Sequence, residues 1–380
     1  MTDYQGVELG NQAEDRIEPV SGEDLYISLD YNMRCYAQQA AQKVLKAKKA
    51  KRVSVILMNP QNGEVYSLVN LPEYDLNQPF TLIEESSLEG KNENDKLNNM
   101  WRNPVISDSY EPGSTFKIIT ATAALEEKKV TVKDTFFCPG FKIVEDRKIR
   151  CHKTQGHGSE TFKEGVMNSC NPVFMEIGAR VGAKDMLKYY RKLGLYEKTG
   201  VDLPGEANSI MHKLDNIGAV ELATMSFGQS IQITPLQLMR AVSAGINGGR
   251  LVTPHFAIEK KDTVTKEITE YEYDTKAGAV SKETSDTLKE LLEAVVAEGT
   301  GKNGQVEGFR VGGKTATSEK LPRRSGKYIS SFLGFAPADN PKILGLVLID
   351  EPQGTYYGGV IAAPVMAEIF QNVLPYLDNL

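Results

Sequence analysis

Apolar positions along this chain fall into two periods, and the places where the period changes mark out its elements. Leu25 to Leu29 alternates as a half-buried strand does, and from Tyr31 to Lys49 the set Met33, Ala37, Ala40, Ala41, Val44 and Leu45 takes the spacing of a helix face. Val53 to Met58 and Val65 to Val69 are strand runs on either side of Asn62-Gly63, a pair that favours a type I′ turn, so they predict a hairpin. Polar residues dominate from Glu84 to Asn99, up to the single tryptophan, Trp101, which predicts a long surface excursion. Helical periods occupy Ser114 to Glu127, Phe162 to Val181, Ala183 to Leu193, Pro235 to Asn247 and Ser281 to Ala297. Three strands follow, at Gly308 to Thr317, Ser330 to Ala336 and Ile343 to Ile349, and a helix from Ala363 to Leu374 closes the chain. Strands at both ends of a helical middle predict a mixed α/β (α+β) domain with one antiparallel sheet. Residues 1–22 hold no sustained period and read as a linker or terminal remnant, leaving 23–380 as the folded domain.

Composition narrows the function classes. The formal net charge is −6 and no block of like charges is long enough to form a polybasic arm, so nothing favours nucleic acid or an anionic membrane as partner. Lys46 to Arg52 is the nearest such run, and it ends a helical pattern where cations suit the helix dipole. No stretch approaches the roughly 18 consecutive apolar residues of a membrane span, and no secretory signal opens the chain, so the polypeptide as written is expected to be soluble. Four cysteines are too few for a disulfide-stapled scaffold and leave the redox compartment open.

The chemistry concentrates in Glu111-Pro-Gly-Ser-Thr-Phe-Lys117. Pro-Gly stops the incoming chain and a helical period begins at the serine, so Ser114 stands at a helix N-terminus with Lys117 one turn along the same face. Burial that lowers the lysine's pKa would let it take the serine's proton, and the helix N-terminus favours charge on the reacting oxygen. S-x-x-K arises by chance about once or twice in a chain of this length, and an N-cap serine is the plain alternative, so context carries the assignment. In Asn168-Ser-Cys-Asn-Pro172, the proline restricts the residue before it and sets Ser169 and Asn171 at a bend, where Ser169 can relay protons and Asn171 can hold a substrate amide. Two segments compete as the third motif. Lys198-Thr-Gly200 follows a helix and runs into a loop, whereas Gly312-Gly-Lys-Thr-Ala-Thr317 ends one strand ahead of another, which suits pairing with an extended peptide. Lys314, Thr315, Ala316 and Thr317 are therefore assigned to the site.

With these motifs in this order, the chain resembles the class B penicillin-binding proteins from about Asp24 to Leu380, and most of all their division and sporulation branch. Tyr110 to Lys117, Ser226 to Leu238 and Asp350 to Gly359 carry that resemblance. It implies a five-stranded sheet between helical layers and a D,D-transpeptidase that attacks the penultimate D-alanine carbonyl of a peptidoglycan stem peptide through Ser114. It also implies acylation of the same serine by β-lactam antibiotics, an oxyanion hole from the backbone N–H groups of Ser114 and Thr317, and no catalytic cofactor. Family members sit at the outer face of a bacterial membrane on an anchor and pedestal, beside a membrane glycosyltransferase. Tyr4 to Leu9 resembles the start of that pedestal and passes within about a dozen residues into the domain, which reads as an engineered deletion. Ala316 stands where the family has glycine, and its methyl group is expected to crowd bulky β-lactams on the substrate strand.

Cys138, Cys151, His152 and His157 form C-x12-C-H-x4-H in a loop-rich stretch. Structural zinc, a Cys138–Cys151 disulfide and unmodified side chains are all open readings, and since adjacent Cys151 and His152 cannot both ligate without a turn, Asp146 or another neighbour can replace one of them. Cys170 reads as a small packed residue. Gly308 to Thr315 matches a phosphate-binding G-x-x-x-x-G-K-[ST] loop, but it leads to a strand rather than opening a helix, and Gly299 to Gly304 imitates a dinucleotide fingerprint in the reverse context. A serine β-lactamase or penicillin sensor is the closer rival, separated by how fast the acyl-enzyme hydrolyses.

Overall fold

The computed structural model describes residues 4–5, 21–84 and 89–377. Most of 1–22, the expected remnant and linker, lies outside the described residues. Five strands form the central sheet in the order Gly312–Glu319, Tyr328–Ala336, Ile343–Asp350, Arg52–Met58, Val65–Leu71, antiparallel throughout. The chain's two ends meet at the pairing of Val347 with Val55.

Alternation along these strands explains the layers. Val53, Val55, Leu57, Val347, Ile349 and Phe332 face one core with Met33, Ala37 and Ala41 of helix Tyr31–Lys48 and Met366, Ile369 and Phe370 of helix Ala363–Leu377. Ile56, Met58, Leu344, Leu346, Leu333 and Phe335 face the other core with helices Lys117–Glu126, Asn171–Val181, Pro235–Ile246 and Lys282–Ala297. Each such side chain contributes about 1.5–3 kcal/mol on full burial, and a one-residue slip would send every one to the wrong layer. The result is the expected five-stranded sheet between helical layers.

The described chain divides into two compact units. The larger runs Ser28–Phe256 and Tyr273–Leu380 and carries the central sheet. In the smaller, Glu23–Ile27, Ala257–Asp262 and Ile268–Glu270 form a three-stranded antiparallel sheet, with Lys260 Nζ 2.9 Å from the Glu23 carboxylate. This sheet, and two two-stranded ones (Thr135–Cys138 with Gly158–Thr161, Phe141–Val144 with Arg147–Arg150), add to the single sheet expected.

Other local differences have identifiable causes. The hairpin forms, but of Asn62 and Gly63 only Gly63 takes a positive φ (+96°), so the connection is a longer loop, held by Asx turns from Asn59 to Gln61 N and from Asn62 to Glu64 N, rather than type I′. The polar excursion contains helix Glu93–Trp101, started by Asn92, whose side chain accepts from Asp95 N at 2.9 Å. The Phe162–Val181 period breaks into helices Phe162–Met167 and Asn171–Val181 around Ser169, which is at φ +52°. By length and composition the stretch Gly358–Leu377 would suffice to cross a membrane, contrary to the sequence reading, yet half of it is buried in the sheet's core.

Candidate active site

Gly113, at φ +58°, turns the chain into a single 3₁₀ turn, Gly113–Phe116, which feeds helix Lys117–Glu126. No other residue fits there. A Cβ on Gly113 would stand 2.3 Å from Ser318 Oγ, and one on Gly228 would stand 2.1 Å from Gly113 O, the two loops being joined by Gly113 N donating to Gly228 O at 3.0 Å. Phe116 is fully buried edge-on against Tyr190, with centroids 5.1 Å apart, and anchors the turn from below. Ser114 is half-buried, and its hydroxyl holds no hydrogen bond among the described residues.

Lys117 is 1% exposed. Its Nζ donates to Ser169 O at 2.7 Å, Ser169 Oγ at 3.1 Å and Asn171 Oδ1 at 2.7 Å, which uses all three protons of an ammonium. Burial lowers its pKa to about 8, against the opposing pull of Cys170, Cys151 and Glu160, so a neutral amine is accessible near physiological pH. Lys314, fully buried, donates to Ser169 Oγ at 2.8 Å and Thr315 O at 3.2 Å, and burial followed by the charge on Lys117 holds it far below the usual lysine range. Ser169 Oγ is thus shared by both lysines. The bend that puts it there comes from its left-handed backbone and from Pro172 in the first turn of the next helix.

Strand Gly312–Glu319 is an edge of the central sheet, so one row of its backbone groups is free of sheet partners. Thr315 Oγ1 donates to Thr300 Oγ1 at 3.3 Å, and Thr317 Oγ1 accepts from Gly358 N at 3.0 Å. Ala316 is 3% exposed, its methyl 3.7 Å from where a Cβ on Gly113 would lie. The methyl is packed on the side of the strand that faces Gly113.

The decoy Lys198-Thr-Gly200 is a loop that binds Glu206, through Thr199 N at 2.6 Å and Gly200 N at 3.3 Å. Gly308 to Thr315 runs into a strand, which removes the phosphate-loop reading, and Gly299 to Gly304 follows helix Lys282–Ala297 and opens no helix for a dinucleotide.

The Cys/His cluster differs from the sequence assignment by one ligand. Donor atoms of Cys138, Cys151, His157 and Cys170 lie within 4.8 Å of one another, and His152 is not among them. Next to Cys151 in the chain, the exposed His152 stays at the rim, with Nδ1 3.8 Å from Cys151 Sγ, and Cys170 comes in from the bend between the two short helices. All four cysteines are free in this structure, Cys138 and Cys151 included. Three sulfurs and one imidazole at this spacing suit tetrahedral zinc. Cys170 lowers the pKa of Cys151 as its hydrogen-bond donor and has its own pushed up in turn, while burial keeps His157 neutral. Glu160, 3% exposed, leaves Oε1 without a hydrogen bond 3.8 Å from His157 Nδ1, the ring nitrogen that also faces Cys151 Sγ at 3.7 Å. Sequence reading missed Cys170 because it sits inside the Ser169-Cys-Asn171 motif, and its only signal was a third thiol in one stretch. Glu111, whose role emerges below, carried no motif signal apart from its place ahead of Pro-Gly.

Comparison with known proteins gives the family. The chain is 40% identical over 384 residues to stage V sporulation protein D of Bacillus subtilis (strain 168), covering 99% of this chain and 57% of that protein. It is 33% identical to the probable peptidoglycan D,D-transpeptidase PenA of Neisseria flavescens, covering 94% of this chain and 84% of that one. Among solved structures, the TP domain of Burkholderia pseudomallei penicillin-binding protein 3 superposes with a TM-score of 0.76 at 28% identity, over 93% of this chain and 96% of that one. A putative peptidoglycan glycosyltransferase from Atopobium parvulum superposes at 0.81 and 26%, over 94% and 80%. Residues 53–371 match the penicillin binding protein transpeptidase domain, and this chain belongs to that family.

Proposed function

We propose that this domain is a serine-type peptidoglycan D,D-transpeptidase, acylated and inhibited by β-lactams. The observation that carries the reading is the sharing of Ser169 Oγ by two buried lysines, at 3.1 and 2.8 Å, the first of them, Lys117, three residues after Ser114 and its unengaged hydroxyl. In this reading Lys117, neutral, takes the Ser114 proton as Oγ adds to the penultimate D-alanine carbonyl of a stem peptide. The backbone N–H groups of Ser114 and Thr317 receive the oxyanion. The C–N bond then breaks, Ser169 relays the proton to the departing D-alanine, and the ester forms. An amine of a neighbouring stem attacks that ester and regenerates Ser114. Asn171 orients the substrate amide, while Lys314, Thr315 and Thr317 hold the terminal carboxylate side of the peptide.

The likeness to the sporulation protein supports a place in septal or spore-cortex wall synthesis. Work at the outer face of a bacterial membrane belongs to the same reading, and the likeness to a putative peptidoglycan glycosyltransferase supports a glycosyltransferase partner. Cys138, Cys151, His157 and Cys170 are the residues for one structural zinc, which supplies a cross-link and no reaction chemistry; Asn171 Nδ2 donates to Arg150 O at 3.1 Å, so the hairpin before Cys151 and the Ser169–Asn171 bend lean on the same cluster.

The test is D-alanine release from a synthetic stem pentapeptide with an amine acceptor present. Cross-linked product that disappears in Ser114→Ala is expected, and a folded, zinc-loaded domain that releases no D-alanine would overturn the assignment.

A further inference from the structure

The proposed reaction leaves one buried carboxylate beside the nucleophile unused. The Glu111 side chain, three residues ahead of Ser114, is 8% exposed. One oxygen accepts from Ser230 N at 2.9 Å, and Ser230, at φ +62°, belongs to the loop whose Gly228 O receives Gly113 N. The other oxygen pairs with the guanidinium of Arg323. Arg323 lies in the connection from the substrate strand to its neighbour, residues 320–327. That connection is folded on itself: Lys320 N donates to Lys327 O at 2.8 Å, Arg323 Nη1 to Glu319 O at 2.7 Å and Arg324 N to Glu319 Oε1 at 2.6 Å. Its base is pinned to the sheet by Lys320, at 2.8 Å from Asp350 and 2.7 Å from Glu351.

We propose that Glu111 is a positioning residue for acylation and that its pair with Arg323 latches the 320–327 connection to the nucleophile turn. The strand ends at Glu319 and Gly113, which opens the turn, packs against its Ser318, so one carboxylate ties the turn carrying Ser114 to the far end of the strand proposed to pair with the peptide. The geometry needs both oxygens and the charge. A glutamine retains an acceptor for Ser230 N but loses the charge-assisted pair, and removing the arginine leaves a buried carboxylate without its counter-ion. This inference rests on the transpeptidase reading.

The experiment measures the acylation constant k2 and the pre-acylation constant Ks with a fluorescent penicillin for wild type, Glu111→Gln, Arg323→Gln, the double variant and Arg323→Lys, together with hydrogen exchange. Each single change to glutamine is expected to lower k2 about tenfold with Ks altered less than about twofold, the double variant falling no further than the worse single one. Arg323→Lys recovers part of the loss, and exchange within 320–327 rises in both single variants. Wild-type k2 in either glutamine variant, additive losses, or a lowered Tm with k2 unchanged would overturn the latch. If wild type itself forms no adduct, the transpeptidase reading fails separately, and unchanged exchange at 320–327 in Glu111→Gln then overturns the latch on its own.

Discussion

Lys314 Nζ stands 2.8 Å from Ser169 Oγ, and that hydroxyl is the one Lys117 also reaches, at 3.1 Å. Two ammonium groups meeting on one oxygen in a buried site repel, so the arrangement favours at least one neutral lysine. Ser169→Ala removes the shared oxygen and, in the proposed mechanism, the proton path to the leaving group. Acylation by penicillin is expected to fall about 10²–10⁴-fold with the fold intact, as for loss of a general acid–base group. Stopped-flow acylation beside a circular-dichroism melt checks this, and a loss under about threefold would remove Ser169 from the relay.

The pH dependence has a definite sign. In the proposed mechanism Lys117 acts as base only when deprotonated, and burial lowers its pKa to about 8. The acylation constant should therefore rise about tenfold per pH unit below that value and level off above it. A profile that falls with rising pH across the same range would require Lys117 to act charged.

Metal content separates the two histidines. Cys151→Ser and Cys170→Ser are expected to lose zinc and melt at lower temperature, whereas His152→Ala, outside the cluster, keeps about one zinc per chain. Total zinc on the purified variants decides it, and zinc lost from His152→Ala but kept by Cys170→Ser would restore the sequence assignment.

Ala316 and Gly113 make a matched pair. Since the Ala316 methyl is buried facing Gly113, Ala316→Gly should change acylation by small and bulky β-lactams in the same proportion, not selectively for bulky ones. Gly113→Ala sets a Cβ 2.3 Å from Ser318 Oγ at a positive φ and should cost more than tenfold in acylation rate. Acylation rates with two penicillins of different bulk test both, and a selective gain for the bulky one in Ala316→Gly would show that the methyl crowds bulky β-lactams, as the sequence suggests.

What was legible in the sequence was whatever is local. Ser114, Lys117, Ser169 and Asn171 could be assigned because a helix turn or a proline bend fixes their relation over a few residues, and the structure brings Lys117, Ser169 and Asn171 together, while the five strands are legible because alternation survives within each strand. The layered partners of those strands follow from period alone. The small sheet of Glu23–Ile27 with Ala257–Asp262 was not legible, since its pairing spans more than two hundred residues and leaves no short-range mark. Cys170 and Glu111 were missed for a related reason: a ligand set and an ion pair are chosen by tertiary approach, and one residue of each partnership looks ordinary in its own segment. Asn62-Gly63 shows the reverse error, a strong turn signal overridden by a longer loop whose Gly63 passes so near Thr253 O that a Cβ would stand 2.3 Å away.

The most direct test of the central claim is intact-mass spectrometry of the zinc-loaded protein after incubation with a penicillin, alongside Ser114→Ala. A single stable adduct, mapped to Ser114 and absent from the variant, is the predicted result. No adduct on wild type, or one that survives Ser114→Ala, would contradict it.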